Sequence, residues 1–152
     1  MWATSKVDSH VVCAGLRYGR REIYVVSTYF QYKDDPDPYL NRLDSIISMI
    51  EPAPMLIGAD CNAHSTMWYG DETNERGEKI EDFLGANGLM VVNEPSLLTT
   101  FASSRGTSNF DVTIVSGGVA RWVADWEVFD RTVSDHRLLL SLIHISEPTR
   151  PY

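Results

Sequence analysis

Five apolar residues follow one another without alternation in Met55-Leu56-Ile57-Gly58-Ala59, close on the acid Asp60, and are flanked on both sides by segments with helical apolar spacing. A run of this kind is expected of a strand covered on both faces. Upstream, Leu40, Leu43, Ile46, Ile47 and Ile50 recur at three- and four-residue intervals. Asp37-Pro38 reads there as an N-cap followed by the first helical residue, and Pro52 ends the pattern. Downstream, Ile80, Phe83 and Leu84 mark a second amphipathic helix from about Arg76, closed by Asn87-Gly88 as a left-handed cap. Residues 63–75 are polar and turn-rich and predict a surface loop. Helices set between strand-like runs imply an α/β domain with a covered sheet.

Other β-rich runs complete the pattern. Residues 11–16 and 23–29 read as an antiparallel pair joined by a longer connection through Tyr18-Gly19-Arg20-Arg21, and Tyr29 emerges at the end of the second. Residues 89–92, 110–115, 122–129 and 138–145 give four more. From Ser141 to Tyr152 the sequence reads equally well as a sequencing-library adapter carried into the chain or as a final strand with a polar tail, so the domain is placed at residues 1–142 and residues 143–152 are treated as a tail. A chain of 152 residues with 43% hydrophobic content suits one domain with a sizeable core.

Three strand-like runs end in chemistry. Asp60-Cys61-Asn62 follows the first, Asn109-Phe110-Asp111 opens another, and Ser134-Asp135-His136 precedes the last. Phosphodiester hydrolysis needs an activated water, neutralised phosphoryl oxygens and help for the leaving oxygen. Asp60 is suited to deprotonate the water, and Asn62 to hold the water or a phosphoryl oxygen. Asp111 can fix the tautomer of His136 and raise its pKa, making a cationic phosphate clamp, with Asp135 as a carboxylate competent for metal. Taken singly these are ordinary turn residues. Tyr29 is a core aromatic or a phosphate contact, and His64 a rim residue or a solvated loop residue; His64, Arg105 and Ser134 complete the substrate-binding candidates. Asp71, Glu72 and Glu75 are explained by an acidic surface loop, and Trp68, Tyr69 and Phe101 by packing, with base stacking as the alternative.

The formal charge of -8 excludes a protein that holds nucleic acid by bulk electrostatics. Arg76, Arg105, Arg131 and Arg137 are the candidates for a local positive field. Cys13 and Cys61 cannot build a disulfide framework or a zinc site, which points to a reducing compartment. No run approaches the roughly 18 apolar residues of a membrane span, and the first residues lack a signal-peptide core, so a soluble intracellular chain is expected.

At these residues the chain resembles the exonuclease–endonuclease–phosphatase superfamily. It is most similar to the endonuclease domain of non-LTR retrotransposons of the lineage that inserts in ribosomal RNA genes. Val26-Ser27-Thr28-Tyr29-Phe30-Gln31-Tyr32, Asp37-Pro38-Tyr39-Leu40, Asp60-Cys61-Asn62-Ala63-His64-Ser65, Lys79-Ile80-Glu81-Asp82-Phe83 and Ser134-Asp135-His136-Arg137-Leu138 carry the likeness. The resemblance implies a deoxyribonuclease-I-like two-sheet sandwich with outer helices. It also implies a magnesium site at one rim and nicking of double-stranded DNA in the nucleus, with the exposed end priming a reverse transcriptase encoded downstream in the same polyprotein. In that family Tyr29 would contact phosphate, Asp60 and Asn62 handle the water, Asp111 orient His136, His136 hold the phosphate and Asp135 lie by the metal. Members carry an earlier segment with a strand-end Asn and a Glu that is the main magnesium ligand. The sequence starts beyond both, and neither Glu22 nor Glu51 has the context to replace that Glu. A domain incomplete at its N-terminus and weak or inactive alone is therefore expected. A small-phosphate phosphatase or phosphodiesterase and a non-catalytic DNA-binding fragment are the competing readings.

Overall fold

The computed structural model describes residues 2–7 and 9–143. Its strands are β1 (Trp2–Val7), β2 (Val11–Tyr18), β3 (Arg21–Tyr29), β4 (Met55–Asp60), β5 (Leu89–Val91), β6 (Phe101–Ser103), β7 (Gly106–Ser108), β8 (Asp111–Ser116), β9 (Val123–Phe129) and β10 (Leu138–Ile143). The helices are α1 (Asp37–Ile50) and α2 (Glu75–Ala86). A six-stranded sheet runs in the order β1-β2-β3-β4-β8-β5, and β9 with β10 and β6 with β7 form two smaller sheets. The expected α/β arrangement of sheets with outer helices is present. Of the segment from Ser141 onward, Leu142 and Ile143 of β10 pair with Ala124 and Val123 of β9, Ser141 stands at the register shift before them, and residues 144–152 lie outside the described residues.

Both helices pack on one face of the large sheet. Leu40, Leu43, Ile46 and Ile47 of α1 and Ile80 and Leu84 of α2 share a core with Val26 of β3, Met55 and Ile57 of β4, and Val112 and Ile114 of β8. On the other face the β9–β10 hairpin covers only one side of the sheet. Val115 and Ile23 are buried there with Val119, and Trp126 Nε1 donates to Thr113 Oγ1 at 3.0 Å. Among the described residues no helix is long and apolar enough to cross a membrane.

Four expectations need correction. The β4 strand is fully covered on one face and only partly on the other: Met55, Ile57 and Ala59 are buried and Leu56 packs beside Ile23 and Val115, but Gly58 is exposed and lines a cavity with Leu139 and Leu140 of β10. The β2–β3 connection is a tight two-residue turn, with Tyr18 paired to Arg21 and Gly19 supplying a φ of 60° at its first central position, the place where such a turn needs a glycine. Asp37 is the first residue of α1 and not its cap; its amide donates to Asp35 Oδ1 at 2.9 Å. The loop before α2 is not wholly on the surface. Ala63, Ser65 and Trp68 are fully buried, and the Trp68 indole donates to Ala63 O at 3.3 Å. The start of α2 is fixed by Asn74, whose side chain accepts from Gly77 N, and Gly88, with a φ of 61°, ends it.

Candidate active site

Register alone aligns three of the side chains. Tyr29 pairs with Asp60 across the parallel β3–β4 ladder, and Asp60 pairs with Asp111 across the antiparallel β4–β8 ladder. Directly paired residues point to the same face of a sheet. The phenol and the two carboxylates therefore stand in one row at a sheet end, lining one cavity with Gly58, Thr113 and Trp126.

His136 reaches this row from the segment between β9 and β10. Its Nδ1 lies 3.1 and 3.0 Å from the two oxygens of Asp111, and its Nε2 lies 3.5 Å from Asp60 Oδ2. The three residues offer ligand atoms within 4.8 Å of one another. Asn62 sits beside them in the left-handed region, with a φ of 45° that asparagine tolerates better than most residues. Its backbone N–H donates to Asp60 Oδ1 at 3.2 Å and its side-chain amide donates to Phe30 O at 2.9 Å, so it pins both the carboxylate and the end of β3.

The electrostatics follow from this crowding. Burial, and then the charge of Asp111, push the Asp60 carboxyl up to about 6, against the opposing pull of His136. Burial works to lower the pKa of His136. The hydrogen bond and charge of Asp111, with the charges of Asp60 and Asp135, outweigh it, and the net shift is upward. A carboxylate held near neutrality is a better proton acceptor than an ordinary one, and an imidazole held cationic is a hydrogen-bond donor suited to phosphate. Cys61, between Asp60 and Asn62 in sequence, faces the core. Burial and the two acids raise its pKa, so it stays an uncharged thiol.

The other sequence candidates are distributed around this centre. Asp135 is exposed and outside the Asp60–Asp111–His136 group, but close enough for its charge to act on His136. Ser134 spends its hydroxyl on its own turn, accepting from His136 N and donating to His136 O. His64 is half-buried with its ring edge-on to Phe110 at 5.2 Å. Phe110 in turn meets Phe101 at 5.4 Å, and Phe101 meets the His136 ring at 5.0 Å. Arg105 lies exposed at the turn of the β6–β7 hairpin. Asp71 and Glu72 are exposed, as an acidic loop requires, and Glu75 is exposed as the first residue of α2 rather than in the loop.

Two of the arginines are engaged elsewhere. Arg76 donates from Nε to Cys61 O at 3.0 Å, from Nη2 to Gln31 O at 3.0 Å, and from Nη1 to Asp34 O, so its guanidinium binds the loops after β3 and β4 together. Arg137 donates from Nη1 to Thr99 O at 2.7 Å. Sequence reasoning also missed His10. Its backbone oxygen accepts from Tyr29 N, and its ring stacks on that of Tyr29 with centroids 6.4 Å apart. The available signal was its place directly before the first strand of the β2–β3 pair.

Known proteins bear on this geometry. The sequence family described as Endonuclease-reverse transcriptase matches residues 23–140. The chain is 28% identical over 147 residues to a 115 kDa protein in the type-1 retrotransposable element R1DM of Drosophila melanogaster, which covers 91% of this chain and 14% of that protein. It is 30% identical over 141 residues to the retrovirus-related Pol polyprotein from type-1 retrotransposable element R1 of Bradysia coprophila, covering 87% of this chain and 14% of the polyprotein. The chain thus spans about one seventh of the length of the curated relatives it matches. Among solved structures, the endonuclease domain of TRAS1, a telomere-specific non-LTR retrotransposon, superposes with a TM-score of 0.85 at 30% identity, covering 91% of this chain and 65% of that domain. The matched segment contains β3 from its third residue, β4, β8, both helices and every member of the Asp60–Asp111–His136 group, and the chain belongs to the endonuclease-reverse transcriptase family.

Proposed function

We propose that this chain is the DNA-nicking part of a non-LTR retrotransposon protein, a divalent-metal-dependent endonuclease whose product primes reverse transcription. The observation that carries the reading is the contact of one imidazole with two strand-end carboxylates at the rim of the sheet. Asp60, with its raised pKa, takes the proton of the attacking water. The Asn62 amide, fixed to Phe30 O, holds that water or a phosphoryl oxygen. Asp111 accepts from His136 Nδ1–H and favours the protonated imidazolium, which donates from its other nitrogen, Nε2, to the phosphate. The exposed Tyr29 hydroxyl contacts the same phosphate from the next strand, and His64, Arg105 and Ser134 belong to the surrounding substrate surface.

The donor set fits a hard divalent cation such as magnesium, because Asp60 and Asp111 face each other and their mutual repulsion is part of what raises Asp60. Asp135, the exposed acid next to His136, is the carboxylate that would lie by it, beside this pair. When bound, such a cation neutralises charge on the phosphoryl and leaving oxygens. Double-stranded DNA is the substrate, a downstream reverse transcriptase in the same polyprotein the partner, and the nucleus the place of action.

Conversion of supercoiled plasmid to open circle in magnesium tests the proposal, using this chain and an extended version that carries ahead of it a segment supplied from the N-terminal part of the TRAS1 endonuclease domain. The extended version nicks, and Asp60→Ala or His136→Ala lowers its rate by a factor of about 10² or more. Nicking that survives both substitutions overturns the assignment.

A further inference from the structure

The Asp111–His136 couple joins two segments far apart in sequence, and one buried residue touches both. Thr100 is fully buried, and its Oγ1 accepts from Phe110 N at 3.1 Å and from Asp111 N at 3.0 Å. Its own amide donates to Asn109 Oδ1 at 3.0 Å. Its carbonyl accepts from Arg137 N at 2.7 Å, and two residues on Ala102 N donates to Asp135 O at 2.8 Å. Between these bonds Phe101 pairs as an isolated antiparallel bridge with His136. One edge of residues 100–102 therefore grips the entry to β8, and the other grips the backbone on both sides of His136.

We propose that Thr100 is the positioning residue of the Asp111–His136 couple, its hydroxyl setting the Asp111 backbone while its carbonyl sets that of His136. The hydroxyl is required for a geometric reason. Two consecutive N–H groups converge on one oxygen at the point where the chain enters the sheet, and buried N–H groups need an acceptor. An isosteric valine fills the space but leaves both donors unpaired, so the chain at Asp111 must shift to find partners. A shift of about 1 Å in a group that orients a reacting residue is enough to lower a rate about 10²-fold. Thr100 touches neither substrate nor reacting atoms and acts only through Asp111 and His136. Its effect on nicking rests on the endonuclease reading; its effect on geometry does not.

The test therefore has two arms, applied to the wild-type chain, Thr100→Val, Thr100→Ser and the core variant Leu84→Ala. In proton NMR, the His136 Nδ1–H held by Asp111 gives a downfield signal in wild type and Thr100→Ser, and the signal moves or vanishes in Thr100→Val. Leu84→Ala lowers the melting temperature and leaves that signal in place, separating positioning from mere stability. In the nicking assay on the extended version, Thr100→Val lowers kcat by about 10–10²-fold with KM changed by less than about threefold, and Thr100→Ser restores kcat. A folded Thr100→Val with an unmoved imidazole signal overturns the proposal. If Thr100→Val does not fold, amide exchange in wild type decides: Phe110 and Asp111 amides that exchange as fast as those of exposed loops overturn it, and slow exchange supports it. Absence of nicking from every version sinks the endonuclease reading alone, since the NMR arm still reports on Thr100.

Discussion

Under the helices, Met55, Ile57 and Ala59 of β4 are 2, 0 and 5% exposed, whereas on the opposite face of the same strand Leu56 is half-buried, Gly58 is exposed and Asp60 ends the row. Neighbouring strands repeat the division. Val26 of β3 and Val112 and Ile114 of β8 pack toward the helices, while Tyr29 and Asp111 stand with Asp60 on the other side. The helix face is closed and apolar, so it stores stability. The other face is covered by β9 and β10 only in part, which leaves its polar row lining an open cavity. Two neighbouring residues of one strand thus answer to different demands, packing for one and exposure for the next.

The largest stability effects belong on the closed face. Ile57→Ala removes a fully buried side chain from the centre of the core and is expected to lower unfolding free energy by about 2–5 kcal/mol in urea titration. Gly77→Ala tests the same face from α2. A methyl there would stand 2.0 Å from His64 O, so helix and loop must part, with a loss on the order of 2–3 kcal/mol. Losses below about 1 kcal/mol at both positions would break the contrast between the faces.

Asp60 carries the comparison onto the open face, where a side chain is kept at the expense of stability. Its folded pKa of about 6 lies above the ordinary carboxylate value, so ionisation costs the folded state. That cost is present at pH 7 and disappears as pH falls from about 6 toward 4. His136 acts with the opposite sign. Its raised pKa contributes stability at acid pH that is lost as pH rises through the folded value. In metal-free buffer, Asp60→Asn is expected to stabilise the chain at pH 7 by about 1–3 kcal/mol, with the gain gone near pH 4. Its nicking falls together with that of Asp60→Ala. Urea titrations at the two pH values check the sign, and equal stability of variant and wild type at pH 7 would show that burial does not strain Asp60.

How much of this division could be read from the sequence depends on the kind of interaction. Asp60, Asp111 and His136 were legible because each adjoins a periodic apolar run, and strand ends gather at a sheet rim. The helices were legible from Leu40, Leu43, Ile46 and Ile47 and from Ile80 and Leu84, apart from the one-residue slip at Asp37. The half-open face was not. Gly58 counts as apolar in a window but contributes no side chain, so an alternating strand looked continuous, and Leu56 packs only against the Ile23 and Val115 side. The depth of Trp68, the backbone partners of Arg76 and the grip of Thr100 on Asp111 arise from contacts between segments distant in sequence, which local periodicity does not encode.

The smallest expected effect is the sharpest measure of openness. Gly58 is flanked by β3 and β8, paired with Ser27 and Thr113, and a methyl added to it meets no atom within 4 Å. Its backbone is not in the left-handed region, so alanine adopts it without strain. Gly58→Ala should therefore stabilise the chain by about 0.5 kcal/mol, mainly because the unfolded chain loses freedom. Nicking should stay within about threefold, since the methyl lines the cavity without reaching the carboxylate row. A loss greater than about 1 kcal/mol would mean that something presses on this face as the helices press on the other. The contrast between Gly58 and Gly77, one tolerant and one intolerant of the same methyl, then measures directly which side of the sheet is packed and which is left open.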